Sequence, residues 1–417
     1  MIVLDNMNRV VITGLGVVSA MGNDPEAFFA RLVEGRSGIC KLEAPWANAL
    51  AVPYAGIVAG NIESQFPNIK HERLDRGTMF ALLAARQAVA AAGAGWRGET
   101  GEAAGIFWGT GMGGATSLEA AYRELLVEHA SRLKPSTIMM AMNHAPAGQV
   151  GIEMRIRGPS YTYSSACSSS AVAVGEAFHA IRSGAITSAL AGGSEALLTY
   201  GVIKAWESVG ALTTMNPERP ETSCRPFASD RSGFLLGEGA AVLVLEEESA
   251  ARARGATILA EITGYGNTSD ASHIAQPDSA SQARAIRKAL VEARLLPQQI
   301  SHINAHGTGT KLGDVSETRA IREVFGDHAA RIPVTASKAQ TGHTMGASGA
   351  LELISAVLAM RHRVAPPTAH LWSPDPDCDL DYVPLVARPL DDPTAVMSNS
   401  FGFGGSNAVL IATPHQG

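Results

Sequence analysis

The stretch Gly158-Pro159-Ser160-Tyr161-Thr162-Tyr163-Ser164-Ser165-Ala166-Cys167-Ser168-Ser169-Ser170-Ala171 decides how this chain folds. It begins as an extended run and passes through serines. It leaves as a small-residue helical run, Ala171 to Phe178. A strand that turns directly into a helix is the building unit of α/β proteins. Cys167 sits at that junction. The first N–H groups of a helix lack intrahelical partners, and the dipole there favours negative charge. A thiol so placed is expected to ionise more easily and to attack better. A buried structural cysteine is the other reading, and this window alone leaves both open.

The rest of the chain bounds the choice. Its 417 residues are enough for two domains or one large duplicated one. With 46% hydrophobic and 17% charged residues, a large packed core is expected and disorder is not. A net charge of −6 argues against a protein that coats nucleic acid. Cys40, Cys167, Cys224 and Cys378 lie far apart, with no CxxC and no zinc spacing, which points to free thiols in a reducing compartment. The N-terminus has no signal-peptide pattern. The run Thr344–Met360 comes nearest to a membrane span but carries Glu352, so it reads as a buried helix. A cytoplasmic, soluble protein is expected.

Periodicity then places the elements. Strands are expected at Arg9–Gly16, Gly105–Trp108, Ala189–Glu195, Ala240–Leu245, Ile258–Gly264, His302–Ala305, Pro333–Ser337 and Ala395–Asn399. Helices are expected at Pro25–Val33, about Asp75–Ala92, from Pro135 through Met142, Ser281–Ala293, Ser316–Phe325 and Gly349–Arg361. The alternation predicts an α/β protein with mixed, mostly parallel sheets. The pattern restarts near Gly255. That suggests two similar halves, 1–254 and 255–417, in a duplicated α-β-α-β-α arrangement.

Four glycine-rich turns bear on the chemistry. Gly109-Thr110-Gly111-Met112-Gly113-Gly114 follows a strand and matches GxGxxG. A dinucleotide site also needs an acidic residue closing a second strand about twenty residues on. Here the next twenty residues are helical and charged, so the glycines read as allowing close backbone approach, with Met112 directed into a cavity. His306 lies in Asn304-Ala305-His306-Gly307-Thr308-Gly309-Thr310. His343 lies in Ser337-Lys338-Ala339-Gln340-Thr341-Gly342-His343-Thr344-Met345-Gly346-Ala347-Ser348-Gly349. Both follow strands, and ligands of open α/β sheets collect at the carboxyl ends of strands. Metal binding is a competing use of two histidines, but the spacing matches no compact zinc motif and Lys338 disfavours a cation. Last, Ser400-Phe401-Gly402-Phe403-Gly404-Gly405 sets a bulky ring among exposed backbone N–H groups. It reads as a gate and an oxyanion-hole donor, against an ordinary glycine turn.

Taken together these motifs resemble the elongating β-ketoacyl-[acyl-carrier-protein] synthases of the thiolase fold, the type II (FabF-like) group. The resemblance runs from Val10-Val11-Ile12-Thr13-Gly14-Leu15-Gly16 to Asn399-Ser400-Phe401-Gly402-Phe403-Gly404-Gly405. It implies the five-layer thiolase fold and a decarboxylative Claisen condensation. Cys167 would hold the acyl chain, and His306 and His343 would support decarboxylation of malonyl-carrier protein. Lys338 would order the histidines, and Phe403 would act as gate and, with Cys167, as oxyanion-hole donor. Thr308 and Thr310 match positions that bond the phosphopantetheine arm, and Phe401 belongs with the substrate-binding positions. Asp270 and His273 match a partner loop, Asp314 and Glu317 a polar cluster, and Met112 a side chain limiting acyl-pocket depth. Asn304, the Ala305 carbonyl, Glu352, Ser398 and Asn399 match a structural sodium or potassium site of some members. No free cofactor is implied, since phosphopantetheine arrives on the acyl-carrier protein.

That acidic partner makes Lys70, Arg73, Arg76, Arg132 and Lys134 candidate docking charges. The sequence departs from the FabF pattern at Gly210, in the Met139–Met142 stretch, and at Ala228 and Ser232. These departures fit a specialised aryl-polyene or other type II polyketide synthase, with a homodimer or a chain-length-type subunit as partner. Two other functions compete. A thiolase acting on coenzyme A esters needs a second cysteine, and the late Cys378 lacks the glycine context. A non-catalytic chain-length subunit would lack the cysteine.

Overall fold

In the computed structural model, which describes residues 7–67 and 74–416, ten strands form one sheet. They are β1 (Val10–Ser19), β2 (Ala104–Gly109), β3 (Ser160–Tyr163), β4 (Ser188–Glu195), β5 (Gly239–Glu247), β6 (Ala260–Ser269), β7 (His302–Asn304), β8 (Val334–Thr335), β9 (Val396–Gly402) and β10 (Ser406–Thr413). Their order in space is β8-β7-β9-β10-β6-β1-β5-β4-β2-β3. Five strands from each half meet at a short ladder, Val10–Ile12 of β1 against Ala260–Ile262 of β6. The sheet is mixed, as expected, but parallel pairing does not predominate. The ladders β2–β3, β2–β4, β7–β8 and β7–β9 are parallel. The ladders β1–β5, β1–β6, β4–β5, β6–β10 and β9–β10 are antiparallel. Continuous apolar runs such as Val242–Leu245 mark strands covered on both faces, and that cover does not fix strand direction.

Five helices complete the layers: α1 (Arg76–Ala92), α2 (Ser169–Arg182), α3 (Ser279–Ala293), α4 (Lys311–Phe325) and α5 (Ser348–His362). Helices α2 and α5 form the middle layer. Their Val174, Phe178, Leu353 and Val357 pack with Leu15, Leu243, Ile262 and Leu410 from both halves of the sheet. Helix α1 covers the outer face of the first half, through Phe80, Ala84 and Ala88 against Trp108, Leu190 and Val242. Helices α3 and α4 cover the second half, through Ile286 and Ile321 against Ile303, Met397 and Val409. This is the five-layer thiolase fold. No helix among the described residues is long and apolar enough to cross a membrane.

One packing device occurs twice. A Cβ at Gly14 or Gly16 of β1 would lie 2.1 or 1.9 Å from the Ala88 or Ala84 carbonyl oxygen of α1. A Cβ at Gly264 or Gly266 of β6 would lie 2.3 or 2.0 Å from the Ala289 or Ala285 carbonyl oxygen of α3. In both halves a Gly-x-Gly strand and an alanine stripe let a helix settle onto its sheet at backbone contact.

Helix α1 is bounded as its sequence predicts. The Asp75 side chain accepts from Gly77 N at the start, and Gly93 ends the helix at φ 77°. Elements outside the sequence reading include the helices Ala145–Met154 and Tyr200–Val209, and β10. Strand β10 is an apolar run after a glycine turn, the signature of a hairpin, and it pairs with β9 across Gly402–Ser406.

Candidate active site

The serines around Cys167 build the bend that presents it. Ser168 Oγ donates to the Ser165 carbonyl (2.9 Å) and Ser169 Oγ to the Ala166 carbonyl (2.6 Å), while Ser165 N–H donates to Ser169 Oγ (2.9 Å). Ala166 takes a left-handed backbone (φ 52°), and Ala166–Ser168 makes one 3-10 turn before α2 begins at Ser169. A non-glycine residue there costs about 1–2 kcal/mol, and local bonds of this kind hold it in place.

Cys167 is buried, and its Sγ lies 3.0 Å from His343 Nε2. The N–H groups of Phe403 and of Cys167 itself bond the sulfur, and Lys338 acts on it through charge. All three favour the thiolate, yet burial outweighs them and pushes the thiol up to about 11. Burial thus works against the easy ionisation expected from the helix start. The donors around it are placed for the thiolate that forms during attack.

The histidine tautomers follow from their partners. Met345 N–H donates to His343 Nδ1 (3.3 Å), and Ser348 Oγ lies 2.9 Å from the same nitrogen. The ring proton therefore sits on Nε2, facing the sulfur. His306 Nδ1 lies 3.3 Å from Lys338 Nζ, an ammonium that only donates, so its proton is also on Nε2. The two rings meet edge-on with centroids 5.6 Å apart. Burial, then the Lys338 charge, holds both histidines well below the usual imidazole range. Two neutral N–H donors result.

Lys338 is buried, donates to the His306 carbonyl (2.6 Å) and pairs with Glu352. Burial raises the Glu352 carboxyl to about 7 despite Lys338. Glu317 accepts from the N–H groups of His306 and Gly307, each at 2.9 Å, and from Asn399 Nδ2 (3.0 Å). Asp314 accepts from Phe227 N (2.7 Å) and Gly309 N (3.1 Å) and pairs with Arg231. These two buried carboxylates fix the turns that carry His306 and Thr308.

A cavity of about 520 Å³ opens above this floor. It is lined by Cys167, His306 and His343, by Thr308 and Thr310, and by Phe401, Phe403 and Asp270. The two threonine hydroxyls lie 3.0 Å apart. The Phe403 turn is tied to the 270–278 loop. Asp270 N donates to the Gly405 carbonyl (2.9 Å), Gly404 N to the Ile274 carbonyl (2.7 Å) and Asn407 Nδ2 to Asp270 Oδ1 (2.7 Å). The Phe403 ring packs on Trp206 at 5.6 Å. Cys167, His306 and His343 also bring ligating atoms within 4.8 Å of one another, a grouping that sequence spacing did not reveal. Lys338 sets a fixed cation beside it, which opposes a metal ion there.

Two expected positions are corrected. Met112 does not line the cavity: its side chain is 47% exposed, and its N–H donates to Glu195. The backbone of the turn faces inward, onto the buried Glu195, and leaves the Met112 side chain at the surface. Arg76 is not a free docking charge. It makes a two-pronged pair with the buried Glu238 (2.6 and 2.8 Å) and lies over the Phe80 ring. Lys70 and Arg73 lie outside the described residues, whereas Arg132 and Lys134 are exposed. Sequence reasoning missed Ser348, Trp206, Arg231 and Glu195. Each acts through a contact between segments distant in sequence or across a turn, which periodicity cannot show.

Residues 7–251 match the family described as Beta-ketoacyl synthase, N-terminal domain, and residues 259–372 match Beta-ketoacyl synthase, C-terminal domain. The chain is 39% identical over 406 residues to the 3-oxoacyl-[acyl-carrier-protein] synthase 2 of Staphylococcus aureus (strain N315), covering 97% of each chain. It is 42% identical over 407 residues to Nodulation protein E of Rhizobium meliloti (strain 1021), covering 96% of this chain and 98% of the relative. Among solved structures it resembles the ishigamide ketosynthase/chain length factor, with a TM-score of 0.92 and 35% identity over 99% of this chain and 100% of the other.

Proposed function

Because the chain belongs to the β-ketoacyl synthase family, we propose that it extends acyl chains on a carrier protein by decarboxylative Claisen condensation. The observation that carries this reading is the Cys167 sulfur 3.0 Å from His343 Nε2, beside His306, at the floor of the cavity. Cys167 attacks the thioester of an acyl-carrier protein, and its proton leaves with the departing phosphopantetheine thiol. Malonyl-carrier protein then enters, with Thr308 and Thr310 along its arm. Loss of CO2 leaves an enolate, whose oxygen accepts from the Nε2–H groups of His306 and His343. Neutral donors suit this step, because they stabilise a forming oxyanion without protonating it. The enolate carbon attacks the acyl-Cys167 carbonyl, and the Cys167 and Phe403 N–H groups hold the tetrahedral oxygen. Collapse gives the β-ketoacyl-carrier protein, two carbons longer, and a thiolate that takes a proton from water. No free cofactor takes part.

The thiolase alternative loses ground on placement. Cys378, the late cysteine, is buried in the cluster with Ile321 and Ala336 and does not line the cavity. The chain-length-subunit alternative meets an intact set of Cys167, His306, Lys338 and His343. The relatives named for nodulation and for the ishigamide system support a specialised elongation pathway rather than bulk fatty acid synthesis.

The assembly is a dimer, either of two identical chains or with a chain-length-type subunit. Its support is the exposed Ile138, Met139 and Met142 and the exposed Tyr161 on β3 at the sheet edge. Arg132 and Lys134 remain docking charges for the acidic carrier protein, and Lys70 and Arg73 belong to the same proposal. The division into 1–254 and 255–417 stands as a proposal supported by the repeated Gly-x-Gly packing. Four free cysteines support a cytoplasmic setting.

A sodium or potassium ion fits behind the histidines. Asn304 Oδ1, Glu352 Oε2, Ser398 Oγ and Asn399 Oδ1 are buried without a hydrogen-bond partner, and Ser398 stands opposite Asn304 in the β7–β9 ladder. Oxygen donors of this kind suit a hard cation. With the Ala305 carbonyl they would hold it, and its charge would offset Glu352 and stiffen the ends of β7 and β9. The condensing reading is tested with acyl- and malonyl-carrier protein, radiolabelled in the malonyl group. Labelled product two carbons longer is expected from the wild type and none from Cys167→Ala. Undiminished extension by Cys167→Ala would refute the assignment.

A further inference from the structure

We propose that Glu195 is a positioning residue whose carboxylate locks the Gly109–Gly114 loop to the turn after His343 and so fixes the His343–Cys167 contact. Glu195 ends β4 and is fully buried. Its partners come from both halves of the chain. Gly111 N donates to Oε2 at 2.5 Å, Met112 N to Oε1 at 3.2 Å and Thr110 Oγ1 to Oε1 at 3.1 Å. Gly346 N donates to Oε2 at 2.9 Å.

Each side of this lock leads to a catalytic group in a short step. On one side the 109–114 loop holds the segment leading to the thiol. Thr110 N donates to the Tyr163 carbonyl (3.1 Å), and Ser164 Oγ donates to the Gly111 carbonyl (3.1 Å). Cys167 follows three residues later. On the other side Gly346 follows Met345, whose N–H fixes the His343 tautomer. Met345 is held in the left-handed region (φ 45°), where a residue with a side chain is strained. A bond that pins Gly346 keeps Met345 there and keeps its N–H on Nδ1. Without the pin, the turn can relax, Nδ1 loses its backbone donor and the Nε2 proton is no longer directed at the sulfur.

The packing admits little else. A Cβ at Gly111 would stand 2.8 Å from Glu195 Oε2. A Cβ at Gly346 would stand 2.6 Å from that oxygen and 2.4 Å from Gly111 N. The glycine loop that mimics a dinucleotide motif thus turns its N–H groups on the chain's own carboxylate, where such a motif would hold a phosphate. Burial raises Glu195 to about 7 against four bonds that lower it.

The inference rests on the condensing reading for its importance, but its test does not. Alkylation of Cys167 by iodoacetamide reports the His343–thiol contact with no carrier protein present. In Glu195→Gln one acceptor oxygen becomes a donor facing N–H groups. Alkylation at pH 8 is expected to slow at least fivefold, with CO2 release from malonyl-carrier protein falling at least tenfold at unchanged KM. Glu195→Asp should recover part of both. Thr110→Val removes one of the four donors to Glu195, together with the acceptor of the Gly113 N–H, and should show the same pattern at smaller size, which keeps the test open if Glu195→Gln does not fold. Alkylation and CO2 release at wild-type rates in the folded variants would overturn the proposal. A wild type that never loads acyl groups, while Glu195→Gln still slows alkylation, would count against the condensing reading alone.

Discussion

The two helices of the middle layer begin alike and serve differently. Helix α2 is preceded by the 3-10 turn Ala166-Cys167-Ser168, and α5 by the 3-10 turn Met345-Gly346-Ala347. The first residue of each turn is left-handed, Ala166 at φ 52° and Met345 at φ 45°. Where the first bend carries the thiol, the second carries a glycine whose N–H is held by Glu195. One bend presents a reacting atom, and the other supplies the rigid frame for His343. The difference teaches that a repeated backbone can separate chemistry from support. The same strained turn is useful in both places because local bonds over-determine it.

The largest test of this contrast removes the reactive side chain that each bend serves. Cys167→Ala is expected to abolish acyl loading, read by mass spectrometry of the protein. His343→Ala keeps the thiol and should still load, while CO2 release from malonyl-carrier protein falls about 100- to 1,000-fold, the cost of losing one oxyanion donor. Equal loss of loading in both variants would break the division of labour.

The frame behind the second bend is tested through Lys338. Its ammonium and the Glu352 carboxylate are both buried, and removing one partner of such a pair strands the other. Lys338→Met should cost about 3–5 kcal/mol in denaturant unfolding. A loss below about 1 kcal/mol would show that Glu352 does not depend on the lysine. The two halves can also be compared outside the site. Gly16→Ala and Gly266→Ala each drive a Cβ to about 2 Å from a helix carbonyl. Each should destabilise by roughly 1–3 kcal/mol, the range for overpacked cores. Similar losses would sharpen the likeness of the halves, and a neutral variant in one half would end it.

A further test changes no residue and varies only pH. The Cys167 thiol is raised to about 11, so its thiolate fraction grows about tenfold per unit as pH rises below that value. Iodoacetamide alkylation should therefore climb with unit slope from pH 7 through pH 9. A plateau near pH 7 would mean that the bend, like a helix N-terminus, wins over burial.

Much of this was legible in the sequence. The strand into Cys167, the helix Arg76–Ala92 and the glycine turns around His306 and His343 are local patterns, and local patterns are what periodicity reports. The resemblance to the condensing enzymes supplied the roles of Lys338, Phe403 and the two threonines. What stayed hidden depends on three dimensions. The thiol's raised pKa comes from burial, which the helix-terminus argument does not weigh. Arg76 looks like a surface charge until Glu238 is seen beneath it, 162 residues away. Met112 looks like a pocket residue because glycines surround it, yet its side chain is exposed. Glu195 stands in Gly192-Gly193-Ser194-Glu195, and nothing along the chain shows that its oxygens reach both Gly111 and Gly346.

The central claim is that Cys167 holds the growing chain and that the paired histidines drive carbon–carbon bond formation on it. It is tested most directly by a peptide mass spectrum taken before and after adding malonyl-carrier protein to enzyme loaded from acyl-carrier protein. The account predicts an acyl mass on the peptide bearing Cys167. On malonyl addition that mass should disappear, with one CO2 released per acyl group lost and the carrier product two carbons longer. Acyl mass on another residue, or CO2 release with the acyl group still on Cys167, would contradict it.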